Sequence, residues 1–288
     1  MTNFQRYPRF RSLTLIMLGV VLGLAVRAAH SETFALQPGA QSDTDLSQPK
    51  GGRLISLSQM NLPGIDGTTI RYRRPWGRSF IDGCVKTVNQ ASDKWTLLVC
   101  SGDVTYPTAE SNLREWELLI SELGQKHASD LSLWGVHITG CTPKGTSEEL
   151  HWTTITPAIE AADKRMIDAW ARNFPGKKLL FAIGNKDDAG MKRLIKYAVA
   201  RAPGRVVVKH NAMKADTNIN ANHNQLVIWA AKNGAEIGFE LVGSTLESRF
   251  GGTYKQMMAK VAQVEKLAGK KVSYLAPYKP DLAKVGAK

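Results

Sequence analysis

The chain is short of the residues on which several common chemistries depend. Its 288 residues contain three cysteines, Cys84, Cys100 and Cys141. An odd count excludes a disulfide framework and leaves room for one bridge at most. Cys100 and Cys141 follow neighbouring predicted strands and make the better pair; unpaired buried thiols are the alternative. No CxxC, HExxH or carboxylate-rich loop occurs, so no metal centre is expected. No GxGxxG follows the first predicted strand, and no cofactor is expected. Only one long apolar run exists, which excludes a polytopic membrane protein. The remaining composition, 43% hydrophobic and 22% charged, excludes wholesale disorder and fibrous repeats.

The apolar run lies at the N-terminus. Arg6, Arg9 and Arg11 precede the stretch Leu13–Val26, and Ala29-His30-Ser31 gives a small-x-small pattern before Glu32. A basic flank, a short apolar centre and small residues at the junction predict a secretory signal peptide over 1–31. The expected location is therefore secreted or periplasmic. An uncleaved segment would instead serve as a membrane anchor, and the membrane is expected as a partner only in that case.

The formal net charge is +13, and loss of residues 1–31 would leave 34 basic and 25 acidic residues, a net of +9. The basic residues are scattered. Arg71, Arg73, Arg74 and Arg78 come nearest to a cluster, and no zinc-finger or RNA-recognition pattern accompanies them. No specific nucleic-acid partner is expected. A solvated basic surface, or one attracted to anionic polymers, fits better.

Residues 32–50 are polar and read as a linker or disordered lead-in to a domain spanning 51–288. From there, short apolar runs alternate with amphipathic stretches. The predicted strands are Arg53–Leu57, Thr68–Arg73, Thr96–Cys100, Leu133–Thr139, Leu179–Ile183, Val206–Lys209, Ile237–Val242 and Val272–Ala276. Helices are predicted at Arg78–Val88, from Thr108 to about Lys126, from Pro157 to about Asn173, and over 188–201, 220–233 and 253–268. Pro157 suits a first helical turn, and Gly204, Gly234 and Gly269 suit C-terminal stops. Strands alternating with helices imply parallel βαβ units, and eight in succession predict a (β/α)8 TIM barrel. It should be trimmed, with first and last helices short or missing. A doubly wound open sheet is the runner-up.

In such a barrel, chemistry sits at the C-terminal ends of the strands. That rule selects Arg73 and Trp76 after strand two, and His137 within strand four. It also selects Glu148, Glu149, His151 and Trp152 in the loop after strand four. Asn185 follows strand five, His210 and Asn211 end strand six, and Tyr278 follows strand eight. Glu240 stands out because it interrupts the apolar segment Ile237–Val242. Alternation places Phe239 and Leu241 on one face and Glu240 on the other. The outer face must meet apolar helices, so Glu240 should point into the barrel, where a carboxylate needs a partner. Arg73 is the candidate, and a buried Arg–Glu tie without chemistry is the plain alternative. Trp76, Trp152 and Tyr278 would either stack on sugar faces or pack the rim. His137 is either a hydrogen-bonded interior histidine or a substrate contact. Of His210 and Asn211, one should face inward.

This layout resembles the (β/α)8 glycoside hydrolases of the large retaining clan over roughly residues 53–280. The segment Pro63-Gly64-Ile65-Asp66-Gly67-Thr68-Thr69-Ile70-Arg71 is similar to their strand-two entry. Gly135-Val136-His137-Ile138-Thr139-Gly140, followed by Ser147-Glu148-Glu149-Leu150-His151, looks like a strand-four motif of glycosidase-like barrels. Thr139-Gly140 stands where the clan carries Asn-Glu. The resemblance implies Glu149 as acid/base, with Glu148 as the alternative, Glu240 as nucleophile, and Arg73 beside it. It implies a carbohydrate substrate or ligand. A non-catalytic carbohydrate-binding barrel and a cell-envelope interaction protein are the other readings.

Overall fold

In a computed structural model, the residues described are 31–35, 67–73, 82, 85–86, 89, 94–100, 110–138, 154–183, 188–213, 218–241 and 254–277; the side chains of some strand and helix residues among them are not. The strands are β1 (Glu32–Ala35), β2 (Gly67–Arg73), β3 (Trp95–Cys100), β4 (Leu133–Ile138), β5 (Lys178–Ile183), β6 (Val206–Met213), β7 (Glu236–Leu241) and β8 (Tyr274–Pro277). The helices are α1 (Glu110–His127), α2 (Pro157–Asn173), α3 (Asp188–Arg201), α4 (Asn222–Lys232) and α5 (Tyr254–Ala268). Each strand pairs in parallel with the next, and β1 pairs with both β2 and β8. The architecture is a parallel α/β fold whose sheet curls back on itself.

Local signals explain most boundaries. The side chain of Thr156 caps α2 by accepting from the Ile159 amide at 3.3 Å, and Pro157 fills the first turn, where its missing N–H costs nothing. Gly204 and Gly234 follow α3 and α4 at φ of 70° and 94°, a region that favours glycine. The strands β5, β6 and β7 are nearly unbroken apolar runs, as expected where both faces are covered.

One expectation is corrected here. The first described strand is Glu32–Ala35, inside the segment read as a lead-in. The Glu32 amide donates to the Ser273 carbonyl at 3.0 Å, and its carboxylate pairs with Lys94. Four residues suffice because both neighbouring strands supply ladder partners. The long polar stretch that follows masks so short a run in any composition window. Arg53–Leu57, the apolar run at 13–26 and Cys141 lie outside the described residues, as do the side chains of Cys84 and Cys100.

Two apolar clusters divide the core. The larger joins the outward strand residues, among them Val136, Ile183, Val206, Val208, Ile237 and Phe239, to the helices. The smaller lies within the curl and consists of Leu180, Val207, Tyr274 and Ala276, with Trp134 packed against it. Trp134 and Tyr274 stack there with ring centroids 5.6 Å apart. Gly238 makes room for this: a β-carbon on it would sit 3.0 Å from the Tyr274 Cβ.

Candidate functional site

Register identifies the inward positions. Partners in a parallel ladder share a face, and so do residues two apart on one strand. Leu180, inside the curl, is level with His137 on β4 and Val207 on β6. Tyr274 is level with Gly238, which is level with Lys209. Glu240 follows Gly238 by two and is level with Ala276. His137, Lys209 and Glu240 therefore all lie on the inner face. Lys209 and Glu240 sit above the Leu180–Val207 level, toward the C-terminal ends of the strands.

The central feature is an ion pair between the Lys209 ammonium and Glu240 Oε1. The Lys209 side chain is 1% exposed and that of Glu240 10%. An isolated ionised group at this depth is untenable, so each charge is tolerated because the other neutralises it. Sequence reasoning placed Glu240 on the inner face and asked for a cationic partner there. The partner described is Lys209; the Arg73 side chain lies outside the described residues, although its backbone is the last residue of β2. Lys209 was legible in principle. It interrupts the run Val206-Val207-Val208 at the position that alternation assigns to the face of Val207.

The other expected site residues divide into three groups. His137 is buried on the inner face, one level below Lys209. His210 is corrected: it points outward, its ring 5.2 Å from that of His223 on α4 and 6.1 Å from Phe239. It helps to seat α4 on the sheet, as strict alternation after inward Lys209 demands. Asn211 follows it on β6, but its side chain lies outside the described residues. So do Glu148 and Glu149, Trp76, His151, Trp152, Asn185 and Tyr278 entirely. Among the described residues no group of three or more His, Cys, Asp or Glu side chains could hold a metal ion. No helix among them is long and apolar enough to cross a membrane.

The N-terminal end of the curl also carries charge. Lys178 pairs with Glu236 and donates to the Gly204 carbonyl at 3.1 Å. Lys94 pairs with Glu32. These pairs are partly exposed and close the lower rim, whereas the Lys209–Glu240 pair is enclosed.

No family model and no curated protein matches the chain. Solved structures similar to it include the Ignisphaera aggregans GH53 catalytic domain, with a TM-score of 0.49 and 10% identity over 85% of this chain and 79% of that one. A Thermobacillus composti GH10 xylanase gives 0.48 and 11% over 87% and 84%. The phosphotriesterase homology protein from Escherichia coli, complexed with phosphate, gives 0.44 and 14% over 82% and 78%. These are distant TIM-barrel likenesses, and they do not choose between sugar and phosphoester chemistry.

Proposed function

We propose that the chain is an exported, glycoside hydrolase-like protein built on a trimmed (β/α)8 barrel, acting on an oligo- or polysaccharide. The observation that carries this reading is the enclosed carboxylate of Glu240, which faces the inside of the curl near the C-terminal end of β7. A retaining glycosidase needs one ionised carboxylate as nucleophile and one protonated carboxyl to assist the leaving oxygen. An ammonium on Oε1 balances the charge of the first. Glu149, or its neighbour Glu148, is proposed as the second. Their carboxyl groups should lie about 5–5.5 Å from that of Glu240 for retention and about 6.5–9.5 Å for inversion. Export rests on the basic flank, the apolar centre and the small-residue junction of the first 31 residues.

The test is hydrolysis of a panel of chromogenic glycosides and polysaccharides. Glu240→Gln should abolish turnover while the protein still melts cooperatively; unchanged turnover would falsify the nucleophile role. Glu149→Ala should slow substrates with poor leaving groups more than activated ones, and equal losses on both would exclude the acid role. The Lys209 pairing also favours a second reading, a non-catalytic barrel that binds carbohydrate. In that case Glu240 is a structural tie, no substrate turns over, and Glu240→Gln lowers the melting temperature without changing sugar binding.

A further inference from the structure

Among the described helices, the positive charge is concentrated on one side of the layer. Helices α1 and α2 together carry seven acidic and five basic residues. Helices α3, α4 and α5 carry two acidic and eight basic residues. Contacts run from α3 to α4 and from α4 to α5, so the three form one continuous wall.

The pairing differs as sharply as the totals. On α1 and α2, Arg165 bridges Glu110 and Glu117, Arg114 pairs with Glu110, and Lys164 pairs with Glu160. Arg193 and Arg201 of α3 are committed to Glu160 and Asp168 of α2. Six lysines remain on the α3–α5 wall with no carboxylate partner among the described residues: Lys192, Lys196, Lys232, Lys255, Lys260 and Lys266. All are exposed or half-exposed. Lys192 and Lys196 reach over the ring of Trp229 on α4, at 5.5 and 5.7 Å from its centroid. That contact brings two like charges to one ring, and an anion near them would offset their repulsion.

We propose that the α3–α5 wall is a docking surface for an acidic polysaccharide. The uncommitted cations are all lysines, while the forked guanidiniums of this region are spent on protein carboxylates. Point charges spread over three helices suit a flexible polyanion better than the bidentate recognition of phosphates that arginine serves. The one large exposed apolar residue described on this side is Leu267, which is too little for insertion into a bilayer. The charge asymmetry is independent of the proposed glycosidase-like function, whereas the choice of a sugar polymer rests on it.

The probe is polygalacturonate, with neutral dextran as control, titrated against the full chain at low and physiological salt. The wild type should bind polygalacturonate, more weakly as salt rises, and should ignore dextran. The variant K192Q/K196Q/K232Q should bind about tenfold more weakly at low salt. The variant R114Q/K126Q/K164Q, with the same charge change on α1 and α2, should lose less than about twofold. Equal losses in the two variants would overturn the proposal, as would tighter binding to phosphatidylglycerol vesicles or duplex DNA than to polygalacturonate. Turnover of neutral chromogenic glycosides separates the two ideas. Turnover without polygalacturonate binding removes the docking wall and leaves the glycosidase. Binding lost in K192Q/K196Q/K232Q, with turnover indifferent to Glu240→Gln, removes the glycosidase and leaves the wall.

Discussion

The pairs Lys209–Glu240 and Lys178–Glu236 join the same two residue types inside one curled sheet, at different depths. Side-chain exposure is 1% and 10% in the first and 29% and 26% in the second. At the lower rim, water screens the charges, and either partner can be lost to solvent at little cost. Within the curl, both groups have been desolvated, and removing one leaves the other a buried charge that has lost its neutralising partner. The two pairs therefore differ less in the attraction they provide than in the penalty for breaking them. A buried pair of this kind specifies an arrangement; it does not by itself argue for a more stable protein.

The largest effect should come from Lys209→Ala. It strands the buried Glu240 carboxylate on the inner face and should lower stability by about 3–5 kcal/mol in denaturant melts. The double variant K209M/E240L should recover most of that loss. A double variant no better than the single would mean that the pair contributes net stability after all. Next comes Gly238→Ala. Its new β-carbon would meet the Tyr274 Cβ at 3.0 Å, and overpacking of this kind costs about 1–3 kcal/mol. A neutral result would show that the inner cluster yields more easily than its register implies. Glu236→Gln at the lower rim should change stability by less than about 1 kcal/mol. A loss matching that of Lys209→Ala would erase the contrast between the two depths.

The smallest effect concerns charges on the helices. Hydrogen bonds from Arg165 and Arg114 bring the Glu110 carboxyl down to about 2, and Arg165 also lowers Glu117. A carboxylate whose folded value lies below its unfolded value favours the fold fully above the unfolded value, about 4.3 for Glu. That contribution fades as pH falls toward the folded value. The melting temperature should therefore drop through this acid window, and Arg165→Gln should flatten the drop while leaving the region above pH 6 nearly level. An acid limb identical to that of the wild type would show that the network carries no linkage.

Much of the frame was readable because its signals are local. Pro157 and the Asn173 end of α2, the bounds of α3 at 188 and 201, and the apolar runs of β4, β5 and β7 follow from capping, periodicity and length. Glu240 was readable because one charge in an apolar strand has only two faces to choose from. Three things were not. The strand at Glu32–Ala35 carries too few residues to show a period, and only distant partners make it a strand. Lys209 stood at the end of a run where a lysine looks like the exit to solvent, yet β6 continues to Met213 and keeps it inside. His210 could be assigned a face only once Lys209 had been placed on the other. In each case the missing information was a partner in another strand, which no window of sequence contains.

The pairing of β1 with both β2 and β8 has a consequence for how the molecule is made. Glu32 and Thr33 complete their ladder with Tyr274 and Leu275, so the earliest-synthesised strand must wait for the latest before its second edge is covered. Until then two open edges face solvent, and a chain emerging from a ribosome spends that interval exposed to association with other chains. Joining the ends is the slowest kind of contact to find, because nearly the whole domain is the loop that must close. Circular permutation that makes β8 and β1 consecutive should shorten that wait.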